Sequence, residues 1–148
     1  MPRRVFLALS LVLGLSAVVS GCTLRYSLQF ETSGAPLTGA EAEQLASTTD
    51  IGALASVTAS DAVPMRTQVL ADLRTRGDLG QRAADLLTTG FPDHTAAVPV
   101  LVRAITIDGV DAVVVVEAFS SDGSNLTHRR LWVFDRSSGA VIRAASFR

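Results

Sequence analysis

The sequence predicts an α+β fold: an N-terminal strand and two to three helices packed on a four- to five-stranded antiparallel meander. Two observations lead to this class. Between residues 38 and 90, apolar residues recur at helical spacing, bounded by Thr, Asp and Gly residues typical of helix ends. From residue 98 onward, short apolar runs separated by turn sequences replace that spacing, as expected of consecutive strands.

The N-terminal strand is predicted from an alternating pattern that begins at residue 24. Apolar and polar residues alternate over 24–31, and the apolar positions are Leu24, Tyr26, Leu28 and Phe30. A period of two places these side chains on one face of an extended chain. The pattern therefore predicts a strand with one buried face and one exposed face.

The first helix is predicted from a capping box. Thr38 and Glu41 have the spacing in which the threonine caps the helix and the glutamate binds back to the capping residue. We expect this helix to continue to about Ser47. Residues 48–60 have only weak periodicity, so a turn with an irregular or helical piece is expected there.

A second helix is predicted over residues 61–76. Asp61 can cap its amino terminus, and Pro64 would then fall in the first turn, where proline is tolerated. Valine and leucine residues form a stripe on one side, while the arginines, Arg66 among them, are expected on solvated faces. Gly77 is expected to end the helix.

A third helix is predicted from Asp78, which can cap it, to a stop at Gly90. Leucine and alanine residues at helical spacing form its apolar stripe. The alternative is a single long helix that absorbs Gly77 and Gly80 as bends. Both interpretations place a helical layer immediately before the strands.

Four strands are predicted in the C-terminal half, over residues 98–107, 110–119, 128–135 and 141–147. Asp108-Gly109 between two apolar runs is the strongest short signal of a hairpin with a type I′ turn. Residues 120–127 form a longer polar loop, and Gly139 suits a positive φ in the last hairpin.

The predicted strands are apolar on both faces, unlike those of a half-solvated antiparallel sheet. With a two-residue turn at Asp108-Gly109, Val100 and Val102 fall on the second face. That face needs internal cover, a curled sheet around a pocket, or a partner, because exposed valines forgo hydrophobic stabilisation. The candidate partner or ligand face consists of Val113, Val115, Phe119 and Trp132.

The first 22 residues have the order of a bacterial export signal. Arg3 and Arg4 precede an apolar run over 5–19, shorter than the roughly 20 residues that a membrane-spanning helix needs. The run ends at Val19-Ser20-Gly21-Cys22, which contains the only cysteine of the chain. This motif resembles the lipobox of bacterial lipoproteins.

That resemblance implies that Cys22 receives a lipid and that a peptidase cleaves the bond between Gly21 and Cys22. The chain would then comprise a signal peptide over 1–21, a lipid-anchored terminus at 22–23 and a single α+β domain over 24–148. The lipid on Cys22 would hold the domain at the extracytoplasmic face of the cell membrane. The alternatives are an ordinary secretory peptide with a chance cysteine and an uncleaved anchor. For residues 23–31, the alternative to a strand is a segment that lies loosely along the surface of the bilayer.

The C-terminal half resembles two groups of small domains. Residues 131–141 form an apolar strand, Asp135, a short turn with Gly139, and Val141, which is similar to the last hairpin of the PepSY group of secreted modules. Helices followed by an antiparallel meander also resemble the cystatin-like or NTF2-like class, in which helices pack on a curved sheet. Such likeness implies a fold and does not fix a function.

Composition excludes several classes of function. All 13 basic residues are arginines, against 14 acidic residues, and no basic cluster is dense enough to indicate nucleic acid as a partner. A single cysteine excludes a disulfide within the chain. The lack of lysine, together with much alanine and valine, is typical of GC-rich genomes such as those of actinobacteria.

Few residues indicate chemistry. His94 and His128 lack metal-ligand spacing, and Asp108 and Asp111 flank a turn, where aspartate is common for conformational reasons. We therefore expect no cofactor and a non-catalytic binding module that contacts an envelope protein or an apolar ligand. The first alternative is a carrier of an apolar small molecule or lipid in a pocket between helices and sheet. The second is a hydrolase, which requires a histidine close to an acid.

Overall fold

The computed structural model describes residues 26–91 and 95–148. Within these residues, three α-helices and a five-stranded sheet confirm the α+β class. The helical elements are α1 (Gly39–Thr48), a 3-10 helix (Gly52–Ser56), α2 (Ala59–Arg74) and α3 (Gly77–Thr89). The strands are β1 (Gln29–Glu31), β2 (Ala97–Ile107), β3 (Val110–Phe119), β4 (His128–Asp135) and β5 (Val141–Phe147).

The strands lie in the order β1-β2-β3-β4-β5, and β2 to β5 form the predicted antiparallel meander. The predicted bounds of β3, β4 and β5 are confirmed, and β2 begins one residue earlier than expected. Asp108 and Gly109 have φ values of 47° and 84°, which confirms the predicted type I′ turn. Local signals therefore determine most of the sheet.

The N-terminal strand is shorter than predicted and pairs differently. β1 covers only Gln29–Glu31 and runs parallel to β2, with Gln29 opposite Leu101. Tyr26 lies before the strand, and its hydroxyl donates a hydrogen bond to the carbonyl of Pro99. The helices between β1 and β2 allow the parallel pairing, because a parallel connection needs a long crossover. Leu24 and Arg25 lie outside the described residues.

The caps of α1 and α2 follow one pattern, in which a threonine accepts from the amide three residues later. At α1, Thr38 Oγ1 accepts from the Glu41 amide at 3.2 Å and Glu41 Oε2 accepts from the Thr38 amide at 2.7 Å, which confirms the capping box. The prediction that Asp61 caps α2 is wrong, because the capping residue is Thr58, whose Oγ1 accepts from the Asp61 amide at 3.2 Å. Pro64 therefore lies inside the helix and not in its first turn.

α2 and α3 are two separate helices, so the alternative of one long helix is wrong. α2 ends at Arg74, and Gly77 has a φ of 75° at the start of α3. The turn is tight because Gly80 is buried against the end of α2. A Cβ atom at Gly80 would lie 2.1 Å from the carbonyl oxygen of Leu73, so only glycine fits at this crossing.

Helical elements cover both faces of the sheet. α1, the 3-10 helix and the start of α2 bury one face, which includes Leu101, Val114 and Val116. The second half of α2 and α3 bury the other face, which includes Val102, Val113 and Val115. The double-sided apolar pattern of the strands is thus explained by internal cover.

A β-bulge in β2 changes one predicted face. The pairing of β2 with β3 shifts between Pro99 and Leu101, so Val100 joins the core beneath α1 rather than the core beneath α3. The extra residue reverses the alternation before it, as bulges do. The prediction that Val100 lies on the second face is therefore wrong, because it requires an uninterrupted ladder.

We predict that Gly80→Ala lowers the free energy of unfolding by about 2 kcal/mol, because the new methyl group overlaps a backbone oxygen that cannot rotate away. Chemical denaturation of the variant and the parent measures the difference. Gly90→Ala is the matched control: Gly90 caps α3, and no atom beyond its neighbours in the chain lies within 4 Å of the place that its Cβ would occupy. Equal stability of the Gly80 variant and the parent would contradict the close helix crossing.

Candidate functional site: an aromatic groove beside the last hairpin

The predicted partner face divides into a buried part and a partly exposed part. Val113 and Val115 are 0% exposed beneath α2 and α3, so these two residues are not accessible to a partner. Phe119 and Trp132 are half-buried. Of the three alternatives for this face, internal cover therefore applies to Val113 and Val115. Phe119 and Trp132 are the accessible remainder of the candidate face.

Trp132 lies in an open groove of about 430 Å³ between α3 and the β4–β5 hairpin, which we call the α3–hairpin groove. Its wall and floor are mainly apolar, with polar side chains at the rim. It is lined by Arg82, Asp85, Leu86, Thr89, Gly90, Phe91, Trp132, Phe134, Ser138, Gly139 and Val141.

The groove exists because α3 does not reach the edge of the sheet. α3 packs over β2 and β3, while β5 lies beyond it and exposes Ala144 and Ser146. Because the side chains of Ala144 and Ser146 are small, they do not close the groove at the edge of the sheet. Val141 is 50% exposed at the end of the groove, a large value for an aliphatic side chain. The result is an apolar cleft that opens sideways.

Three aromatic rings give the groove its shape. The Trp132 ring lies 4.7 Å from the ring of Phe91, in a tilted arrangement, and 6.2 Å from the ring of Phe134, in a stacked one. Such separations are those of favourable aromatic pairs. The three rings thus form a continuous apolar wall contributed by β4 and the end of α3.

A buried carboxylate fixes the orientation of Trp132. Glu117 is 0% exposed, and its Oε2 accepts from Nε1 of Trp132 at 2.9 Å. The same oxygen accepts from Arg130 at 2.9 and 3.2 Å, while Oε1 accepts a hydrogen bond from Arg66. Both carboxylate oxygens therefore meet charged donors, as a buried charge requires.

Arg66 is the second basic partner of this carboxylate, and its predicted solvated position is wrong. It is 3% exposed and donates to the carbonyls of Ala97 at 3.0 Å and Leu87 at 3.1 Å. The signal that could have located it is Glu117, an acid inside an otherwise apolar strand. A buried acid requires a basic partner, and an arginine on a facing helix supplies several donors.

Arg130 connects the buried cluster to the aromatic wall. Its guanidinium carbon lies 5.0 Å from the ring centroids of Phe119 and Trp132 and 5.7 Å from that of Phe91. Cation–π contacts at these distances are attractive. The predicted residues Phe119 and Trp132 are thus brought together around one arginine.

The charges around Glu117 determine its ionisation. Burial by itself would raise the pKa of Glu117, but Arg66 and Arg130, together with their hydrogen bonds, hold that pKa below its ordinary value. Glu117 is therefore ionised at neutral pH, and the cluster is an ionic one. Its charge contributes stability above the ordinary pKa of a glutamate, and this stability is lost as the pH falls through the lowered value.

The other residues considered for chemistry, His128, Asp108 and Asp111, make contacts within the fold. Nδ1 of His128 lies 3.1 Å from the Thr127 hydroxyl, and its ring packs 5.5 Å from that of Phe119. Asp108 accepts from the amide of Gly39 at 3.0 Å, and Asp111 lies 3.8 Å from Arg136. Asp93 and His94 lie outside the described residues, as do the motif 19–22 and the signal 1–21.

Within residues 26–91 and 95–148, no group of three His, Cys, Asp or Glu side chains has an arrangement that could hold a metal ion. None of the helices in these two ranges has the length and apolar character needed to cross a membrane. Cys22 lies outside both findings.

Comparison of the chain with protein-family models, curated proteins and solved structures gave no significant match. The likeness to bacterial lipoproteins, to the PepSY group and to the cystatin-like or NTF2-like class therefore stays a prediction from the sequence. The groove and the N-terminal motif are the two features that bear on function.

We predict that Glu117→Gln lowers the free energy of unfolding by about 3 kcal/mol, because Arg66 and Arg130 lose a buried counter-charge. Denaturant titrations at several pH values measure the change. The parent should lose stability more steeply than the variant as the pH falls below the ordinary range of glutamate. The reason is that only the parent has the carboxyl group of Glu117, whose pKa is lowered in the folded state.

Glu31→Gln serves as the control for this prediction. Glu31 pairs with Arg103 at 2.6 Å, but its side chain is 42% exposed, so its removal should cost less than about 1 kcal/mol. Similar losses in the two variants would show that the Glu117 cluster is no more important than a surface ion pair.

Proposed function

We propose that this protein is a lipid-anchored envelope lipoprotein whose single domain is a non-catalytic binding module, and that the α3–hairpin groove holds an apolar part of its partner. The observation that carries the binding proposal is the aromatic wall formed by Phe91, Trp132 and Phe134 in an open groove. Apolar clefts with a few polar rim groups are the usual form of a binding site.

The rigidity of the groove supports the proposal. Trp132 is held by Glu117 and Arg130, so its ring does not have to be ordered when a partner binds. On the opposite side, Arg82 donates to the carbonyls of Arg136 and Ser137 at 3.3 and 3.2 Å and ties α3 to the hairpin. Preorganisation of this kind reduces the entropic cost of association.

The anchoring part of the proposal rests on Val19-Ser20-Gly21-Cys22. A diacylglyceryl group on the Cys22 sulfur would supply two acyl chains, and about 0.8 kcal/mol per buried methylene makes a two-chain anchor stable. The anchor would confine the domain to the extracytoplasmic face of the membrane and would raise its concentration near other envelope proteins.

The second candidate is a carrier of an apolar small molecule or lipid. The volume of the groove favours it, since about 430 Å³ is within the range of small-molecule sites. The openness of the groove and the packed cores on both faces of the sheet favour a partner surface instead. The chemical identity of the material that crosslinks to the groove separates these two candidates.

For the anchor, we predict that Cys22→Ala abolishes lipidation and leaves the protein unprocessed or released from membranes, because no other thiol can accept the lipid. Membrane fractionation and mass spectrometry of the mature chain measure both effects. Ser20→Ala is the control, since it keeps a small residue before the cleavage position. A bare thiol at Cys22 of the parent protein, or a retained leader, would overturn the lipoprotein assignment.

For the groove, we predict that Val141→Asp reduces capture of the partner at least tenfold, because a carboxylate then replaces an apolar wall residue. Photo-crosslinking from Leu86 in intact cells, followed by mass spectrometry of the adduct, measures the capture. Ile142→Asp is the matched control: its side chain is 44% exposed, close to the 50% of Val141, but it does not line the groove.

Each outcome of the groove experiment has a defined meaning. A protein adduct that Val141→Asp removes and Ile142→Asp retains supports the binding module. A lipid or small-molecule adduct with the same dependence supports the carrier. Equal adduct formation in both variants would exclude the groove as the binding site.

A further inference from the structure

The lipid anchor and the fold together constrain how the domain stands on its membrane, an inference that rests on the lipidation of Cys22 proposed above. The chain enters the fold at Tyr26, which contacts Pro99 near the start of β2. β1 then runs parallel to β2, away from this point. We call this end of the sheet the entry end, and the end with the Asp108-Gly109 turn the turn end.

Several segments share the entry end with Tyr26. Ala97 at the start of β2 pairs with Phe119 at the end of β3, which pairs with His128 at the start of β4. The polar loop 120–127 therefore projects from this end. The start of α2 lies beside the loop, where the amide of Ala59 donates to the Ser124 carbonyl at 2.8 Å.

The length of the tether excludes one orientation. Cys22 precedes Tyr26 by four residues, which span at most about 14 Å when fully extended. β3 alone has 10 residues, which corresponds to a length of roughly 30 Å between the two ends of the sheet. If the turn end rested on the bilayer, Tyr26 would lie farther from the lipid than the tether can reach.

Charge favours an upright orientation over one in which the domain lies on its side. The entry end is balanced, with Asp50, Asp61, Asp122 and Glu117 against Arg66, Arg129, Arg130 and Arg148. Asp72 and Arg76, which lie beside Tyr26, add one charge of each sign. The turn end is acidic, with Glu41, Asp78, Asp108, Asp111 and Asp135 against Arg82 and Arg136. A bilayer that contains anionic lipids repels the acidic end and tilts it away from the surface.

We infer that the anchored domain stands on the bilayer by its entry end, so that the loop 120–127, which contains three serines, Asn125 and the single charge of Asp122, contacts the phospholipid headgroups. Hydroxyl and amide groups can exchange hydrogen bonds with the headgroups and with their water. In this orientation the strands point away from the membrane. The α3–hairpin groove then opens parallel to the bilayer, at the edge of the sheet opposite β1.

The test uses the lipidated full-length mature protein, reconstituted in vesicles of phosphatidylethanolamine and phosphatidylglycerol that carry a headgroup-attached nitroxide quencher. A fluorophore is placed on Ser121→Cys or on Ser138→Cys, both exposed loop serines, at the entry end and the turn end. Because the Cys22 sulfur carries lipid, each introduced cysteine is the single free thiol. The label at 121 should lose most of its emission, and the label at 138 should lose almost none.

The outcomes separate this inference from the proposal on which it rests. If mass spectrometry finds no lipid on Cys22 and the protein does not float with the vesicles, the anchor itself is disproved, and the orientation with it. If the protein is lipidated and floats, but the two labels are quenched equally or the label at 138 is quenched more, the anchor holds and the upright orientation is wrong.

Discussion

The carboxylate of Glu117 joins elements that are distant in the sequence. It receives hydrogen bonds from Arg66 on α2 and from Arg130 and Trp132 on β4, and Arg66 extends the cluster to carbonyls at the end of α3 and the start of β2. An incomplete cluster would leave buried charge without a partner, which costs several kcal/mol. The helical layer, the sheet and the aromatic wall of the groove therefore have one mutually consistent arrangement around this side chain.

The parts of the fold that are predictable from the sequence depend on neighbouring residues. The meander is predictable almost to the residue, because Asp108-Gly109 and the short loops determine which strands pair. The Thr38–Glu41 capping box is predictable for the same reason, since both partners lie within one helical turn. Trp132 lies opposite Val115 in the ladder of β3 and β4, and it lines the groove.

The parts that the sequence does not predict depend on contacts across the fold. The parallel pairing of β1 has no local signature, and the burial of Arg66 follows only from its meeting with Glu117. Pro99 is a local sign of the bulge near Val100, because proline cannot donate to the ladder, but it does not show which residue is extra. The groove is unpredictable for a similar reason. Its wall combines Trp132 with Phe91 and Leu86, and the approach of those helix-proximal residues depends on where α3 crosses the sheet.

The contact between Tyr26 and Pro99 has a consequence for how the chain reaches its native state. The two residues are 73 positions apart in the sequence, so their contact closes a long loop. The hairpins of the meander can form early from short loops, whereas β1 must wait for loop closure over a long distance. Pairing along this edge of β2 therefore costs more chain entropy than closing any hairpin of the meander.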